Sequence, residues 1–271
     1  FNYLFIYGKL GFPTLGGAGA GLGTALAYWA VLVVIILVML KNKLIASYQL
    51  WQWSPVQSSL LKAGLKLGLP IGLQVFAEVA IFAVVSLQMA KFSSQVIAAH
   101  QSAMNFATLL YAFPVSVSMA SPIVISYEIG ANRPQAARQY AIIGRLTAIL
   151  FAGLTLTFLY FNRQMVAGWY GQNPVFIRLT ADFLVFALFF QLADAFTAPI
   201  QGILRGYKDT TVSFLLGLIS FWSLTFPIAF LLEGTTDLGP KAYWVGLIVG
   251  IFACGITLNI RMHIVEKRTV Q

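Results

Sequence analysis

Seven long apolar stretches, separated by short polar segments, constrain this chain more than any other feature of its sequence. A membrane-spanning helix needs about 20 consecutive apolar residues, and each stretch reaches that length. Only 9% of the residues are charged, whereas a typical soluble domain carries about 25%. The sequence therefore predicts an all-α, polytopic transmembrane helix bundle. The predicted spans are 17–40, 67–90, 96–126, 142–161, 179–202, 211–232 and 242–262.

The first residues, FNYLFIYGKLGFP, are typical of the end of one more helix that runs into a turn. The chain starts at Phe1 rather than at a methionine, and this apolar run is too short for a signal peptide. We therefore expect seven complete spans plus the end of an eighth, in the C-terminal part of a longer polypeptide.

A pattern near the start of the chain recurs near its end. FNYLFIYGKLGFPTLGGAGAG and FPIAFLLEGTTDLGPKAYWVG both pass from a helix end through glycine to a Leu-Gly pair before the next span. The offset is 225 residues at Phe1/Phe226 and 223 residues at Leu15/Leu238. Six helix ends separate the copies, so both have the same orientation in the membrane, as in a parallel repeat of two six-helix halves.

This repeat predicts the domain organisation. Residues 1–40 would end the first six-helix lobe, residues 41–66 would form a cytoplasmic linker, and residues 67–271 would form the second six-helix lobe. The linker is the longest polar connection, and its Trp51 and Trp53 suit the lipid headgroup region. An ordinary interfacial loop is the alternative for this segment.

The net charge of +9 is better explained by membrane topology than by a nucleic-acid partner. Five of the seventeen lysines and arginines fall on one side of the predicted spans, and the remaining twelve fall on the other side. The positive-inside rule then predicts a cytoplasmic C-terminus. The five are Lys9, Lys91, Arg163, Arg178 and Lys241.

Two acidic residues lie deep in predicted spans, Glu78 in the second and Asp194 in the fifth. Inserting an acid at a helix centre costs about 2.5–3.5 kcal/mol, and such residues usually mark an ion or substrate path. The structural alternative is a protonated carboxyl that hydrogen-bonds a neighbouring helix. Asp182, nearer the end of its span, is expected to be an ordinary interfacial residue, and His100 a packing residue.

Each of three predicted helices carries a polar stripe at helical spacing. We expect these stripes to face the bundle interior and to form a substrate and cation cavity. The stripes contain Gln74 and Glu78; Gln101, Asn105 and Thr108; and Gln191, Asp194, Thr197 and Gln201.

Taken together, five stretches resemble the multidrug and toxic compound extrusion (MATE) family, in particular its bacterial cation-coupled branch. The resemblance implies a twelve-helix, two-lobe transporter that works by alternating access. The five are FNYLFIYGKLGFPTLGGAGAGLGTALAYW, LGLPIGLQVFAEVAIFA, AAHQSAMNFATLLYAFPVSVSMA, SYEIGANRPQAARQY and LRGYKDT.

The resemblance also implies function. Glu78 and Asp194 match the cation site of the second lobe, where Na⁺ or H⁺ would be exchanged for amphipathic, often cationic drugs. Phe190 stands where some relatives have a tyrosine, which removes one oxygen ligand. We expect no cofactor, no metal site beyond Na⁺ at these two acids, no enzyme activity, and a monomer in the bacterial inner membrane.

The sequence also bears on three other functions. A lipid-linked oligosaccharide flippase would need basic side chains in the cavity, and we expect none there, because the central parts of the apolar stretches contain no lysine or arginine. A passive ion channel would need a filter loop or an oligomeric ring, and no filter loop is evident in the sequence. A membrane enzyme would need a catalytic set, and no such motif is evident either.

Overall fold

The computed structural model describes residues 1–41 and 55–270, and within them every regular element is a helix. Seven helices in these ranges are long and apolar enough to cross a membrane. The predicted fold class, seven spans and a short helix before them, is therefore confirmed. The elements are α1 (Asn2–Tyr7), a 3₁₀ turn (Lys9–Gly11), α2 (Gly16–Lys41), α3 (Ser58–Met89), α4 (Ser94–Gly130), α5 (Pro134–Gly168), α6 (Pro174–Gly206), α7 (Thr210–Thr235) and α8 (Lys241–Val270).

The end of the predicted linker belongs to a helix. Helix α3 begins at Ser58, so the last part of segment 41–66 forms its first turns. Residues 42–54, with Trp51 and Trp53, lie outside the described residues, and the linker stays a prediction there.

Helices α4 to α6 also extend beyond the apolar stretches that predicted them. Their starts carry ordinary N-terminal signals. The Ser93 hydroxyl accepts from the Val96 amide at 3.4 Å, and the Asn173 side chain accepts from the Val175 amide at 2.9 Å. Pro134 occupies the first position of α5, where its missing N–H costs nothing. Apolar length thus predicts the membrane-crossing part of a helix, while capping determines where it starts.

The chain divides into two compact units, Phe1–Ser58 and Ser59–Gln271. In the first unit, α1 packs closely on α2 through two buried glycines. A Cβ at Gly19 would overlap the Phe5 carbonyl, and one at Gly23 would overlap the Asn2 side chain. The glycine-rich start of α2 therefore serves helix packing.

Local backbone geometry agrees with the proposed repeat. Gly16 at the start of α2 has φ +52°, and Gly239 just before α8 has φ +51°. Both lie in the left-handed region that favours glycine. Each is the glycine of a matched Leu-Gly pair, so the repeated sequence pattern corresponds to a repeated helix start.

In the second unit, α6 is the most buried helix and packs against α4, α5 and α8. Helix α4 approaches it so closely that a Cβ at Gly202 would overlap the Ser118 backbone. Helix α7 packs chiefly on α8. Since Asp194 lies on α6, this packing places the acid at the centre of the unit.

Ion pairs tie helix ends of this unit, and two of them are short. Arg261 of α8 donates two hydrogen bonds to the Asp209 carboxylate, at 2.7 and 2.9 Å. Near the opposite end of α6, Lys241 Nζ lies 2.7 Å from Asp182 Oδ2. Asp182 thus forms an ion pair near a helix end, as expected of an interfacial residue.

Candidate ion and substrate cavity

A cavity of about 390 Å³ lies among helices α3, α4, α6, α7 and α8. Glu78 from α3 and Asp194 from α6 both line it. Much of the wall is aromatic, because Phe82, Phe190 and Phe221 also line the cavity. The structure therefore brings the two intramembrane acids together in one largely apolar chamber.

Two amides hold the Glu78 carboxylate. Gln201 Nε2 of α6 donates to Glu78 Oε1 at 2.7 Å, and Gln74 Nε2, one turn earlier on α3, donates to the same oxygen at 3.3 Å. Ile81 and Val85 continue this stripe and are buried. The prediction that the stripe faces the bundle interior is confirmed.

Asp194 of α6 is 7% exposed. Phe190, one turn earlier, lines the cavity and packs edge-on against Phe82 at 5.7 Å between ring centroids. Another helix contributes a phenol to the cavity, since Tyr111 of α4 also lines it. Sequence reasoning missed Tyr111, although it lies three residues after Thr108 and so continues that stripe.

The cavity contains a basic side chain that sequence reasoning did not expect. Arg205, at the C-terminal end of α6, lines it together with both acids. Side chains on a helix point back towards its N-terminus, so Arg205 extends towards Gln201 and into the chamber. The expectation of a cavity without basic residues was wrong because Arg205 lies beyond the predicted span 179–202 and yet reaches back into the chamber.

A single guanidinium beside two carboxyls still differs from a pyrophosphate site. Two phosphates would carry more negative charge than one arginine can balance, and the acids would repel them. A single arginine beside two acids therefore does not form the basic pyrophosphate site that a lipid-linked oligosaccharide flippase would need.

Two predicted cavity residues of α4 lie outside the cavity lining. Gln101 and Asn105 are exposed. Gln101 Nε2 donates to Ser86 Oγ at 3.5 Å, and Asn105 Oδ1 accepts from the Tyr170 hydroxyl at 2.9 Å. Of the three polar residues predicted on this stripe, Thr108 alone lines the cavity.

Two predicted cavity residues of α6 are buried in helix packing instead. Thr197 Oγ1 donates to the Ala193 and Ile251 carbonyls, at 2.8 and 3.1 Å, and so joins α6 to α8. Gln191 is 3% exposed, and its amide has no hydrogen-bond partner among the described residues. Of the predicted polar set, the structure thus groups Gln74, Glu78, Thr108, Asp194 and Gln201.

His100 packs near the start of α4 and α8, away from this group. Its Nδ1 accepts from Trp244 Nε1 at 3.1 Å, and its ring lies edge-on to Phe183. The residue is buried in an aromatic cluster, which agrees with its predicted packing role.

Membrane-spanning helices around an apolar chamber that contains acids define a class of polytopic membrane proteins with an ionisable internal cavity. Ionisable groups at this depth suit the binding and release of ions or charged solutes.

Comparison with known proteins narrows this class. Residues 70–231 match the MatE family. The chain is 54% identical over 268 residues to the "Probable multidrug resistance protein NorM" of Streptococcus pneumoniae (strain ATCC BAA-255 / R6), covering 99% of this chain and 59% of the relative. It is 44% identical over 276 residues to the protein of the same name from Bacillus subtilis (strain 168), covering 100% of this chain and 60% of the relative. The chain belongs to the MatE family.

Solved structures agree on the fold. A eukaryotic MATE transporter, AtDTX14, superposes with a TM-score of 0.83 at 16% identity, over 99% of this chain and 61% of that one. A multidrug resistance MATE family transporter in an outward-facing conformation gives a TM-score of 0.80 at 20% identity, over 98% of this chain and 59% of that one. The chain thus spans about 60% of the length of these proteins.

Proposed function

We propose that this chain supplies the second lobe of a secondary multidrug efflux transporter in a bacterial inner membrane. The transporter exchanges amphipathic, often cationic compounds for Na⁺ or H⁺ by alternating access. The observation that carries the proposal is that Glu78 and Asp194, from two different helices, line one cavity with aromatic walls. The names of the bacterial relatives support the drug substrates.

The mechanism is competition for negative charge. A cationic drug binds when the acids are ionised, with its apolar part against the aromatic walls. A proton or Na⁺ that enters from outside neutralises the acids and weakens the hold on the drug, which is then released. Binding at this one site therefore couples the inward movement of a cation to the outward movement of a drug.

The membrane potential contributes to the driving force. Each elementary charge moved inward gains roughly 2.3 kcal/mol per 100 mV. Together with the Na⁺ or H⁺ concentration gradient, this gain drives the export of an uncharged drug. A monovalent cationic drug that leaves the cell cancels the gain, so its exchange for one cation is driven by the concentration gradient alone.

The test uses a full-length protein that contains this chain, with Glu78→Gln and Asp194→Asn made singly and together. We expect each change to abolish ethidium efflux from membrane vesicles under an imposed Na⁺ or H⁺ gradient, applied one at a time. Asp182→Asn is the matched control, because this acid lies on the same helix as Asp194 but pairs with Lys241 outside the cavity.

Two outcomes would reject the proposal. One is full efflux by the double variant at normal membrane abundance. The other is collapse of the ion gradient in the absence of any drug, which would indicate a passive channel.

A further inference from the structure

Arg205 places a permanent positive charge inside the cavity. It lies one helical turn after Gln201, whose amide donates to Glu78 at 2.7 Å, and residues four apart on a helix are neighbours. Arg205 Nε is buried without a hydrogen-bond partner among the described residues. The Arg205 guanidinium is therefore close to the acids, and its Nε forms no hydrogen bond with the described residues.

The charged and titratable residues of the lining come from four helices. With both acids ionised, two negative charges and one positive charge leave a net charge of −1, because a guanidinium stays protonated in proteins. These residues are Glu78 of α3, Tyr111 of α4, Asp194 and Arg205 of α6, and Cys254 of α8.

We propose that Arg205 is a resident counter-charge that limits this cavity to one monovalent coupling cation at a time and sets how tightly that cation binds. The inference rests on the proposed function and adds to it the residue that tunes ion affinity. Without Arg205, two ionised acids would hold an entering cation too tightly for rapid release on the other side.

The size of the effect follows from the size of the cavity. A chamber of 390 Å³ has the volume of a sphere roughly 9 Å across. At an effective dielectric constant of about 20, the interaction of two unit charges at this separation changes a binding constant roughly 20-fold. Removing the charge of Arg205 should therefore tighten cation binding by at least about tenfold.

The experiment measures the cation concentration that gives half-maximal ethidium efflux from proteoliposomes containing the full-length protein. Na⁺ is varied at fixed pH, and pH is varied without Na⁺. For the cation that drives efflux, Arg205→Gln should lower the half-maximal concentration about tenfold or more. Arg205→Lys, which keeps the charge, should restore the wild-type value.

Two further variants distinguish the effect of a charge inside the cavity from that of a charge near it, measured as the half-maximal cation concentration. Lys208→Gln removes an exposed cation three residues away and outside the lining, so it should leave the value unchanged. Thr108→Lys adds a cation to the lining and should raise the value. Thr108→Lys also keeps the proposal testable if Arg205→Gln does not fold.

An Arg205→Gln value within threefold of wild type, in protein that unfolds at the wild-type temperature, overturns the proposal. An unchanged value for Thr108→Lys overturns it as well. If the wild-type protein shows no cation-dependent efflux at all, the proposed function fails instead. Failure of the efflux function is thereby distinguished from failure of the counter-charge role of Arg205.

Discussion

The close contact between α4 and α6 yields a prediction whose size can be worked out from the structure. In Gly202→Ala, the new Cβ would lie 2.8 Å from the Cα and carbonyl carbon of Ser118, and closer still to its oxygen. Non-bonded carbons prefer about 3.5–4.0 Å, so the two helices would have to separate locally by roughly 1 Å. Overpacking of this kind costs typically about 1–3 kcal/mol, and we expect the upper half of that range because the opposing atoms are backbone.

The same change should disturb the cavity. Gln201 is the adjacent residue, and its hydrogen bond to Glu78 spans 2.7 Å. A shift of roughly 1 Å would lengthen this donor–acceptor distance beyond the usual N–H···O range of about 2.7–3.2 Å. Gly202→Ala should therefore lose ion-driven efflux as well as stability.

The assay is thermal unfolding of the purified protein in detergent, together with vesicle efflux. A cost of about 2–3 kcal/mol corresponds to a lowering of the unfolding temperature by roughly 4–12 °C. Gly153→Ala of α5 is the matched control, because its new Cβ would meet no atom within 4 Å apart from the nearby backbone of its own helix. If Gly202→Ala unfolds at the same temperature as Gly153→Ala, the helix spacing inferred here is wrong.

Two further stability predictions use the same unfolding assay. Lys208 has φ +60°, a conformation that costs an L-residue about 1–2 kcal/mol. Lys208→Gly should raise the unfolding temperature slightly, because the greater chain entropy of glycine offsets only part of the strain that the change removes. A lowered unfolding temperature would contradict this. Trp244→Phe removes the donor to His100 Nδ1 and should cost about 1–3 kcal/mol by leaving a buried acceptor unpaired. Trp169→Phe, at an exposed position, is the control, and equal behaviour of the two variants would refute the role of that hydrogen bond.

The spans were predictable because crossing a bilayer depends on apolar length, which is written locally in the sequence. The ends of the helices were less predictable. The first turns of α3 contain polar residues, so the apolar pattern predicted a linker there. A helix forms its backbone hydrogen bonds within itself whatever its side chains face, and it can therefore begin before the apolar span.

The two acids were predictable for a related reason. A carboxyl within an apolar run is costly, so Glu78 and Asp194 stand out in the sequence without any knowledge of their neighbours. Arg205 did not stand out, because an arginine at the end of a span is ordinary. Its place in the cavity depends on the direction of its side chain along α6.

The other predicted cavity residues show what a helical stripe leaves open. Spacing predicts that Gln191, Asp194 and Thr197 lie near one another on a helix surface, and all three are buried. It does not predict which neighbouring helix each will face. Asp194 lines the cavity, whereas Thr197 bonds the Ile251 carbonyl of α8.

The sequence by itself determined that this chain crosses a membrane several times and carries two acids at depth, because both properties depend on the apolar length and composition of single segments. Only the tertiary structure decided that these acids share one chamber with Tyr111 and Arg205. The rotation of each helix about its own axis depends on how closely its neighbours can pack, and that rotation determines which polar groups meet.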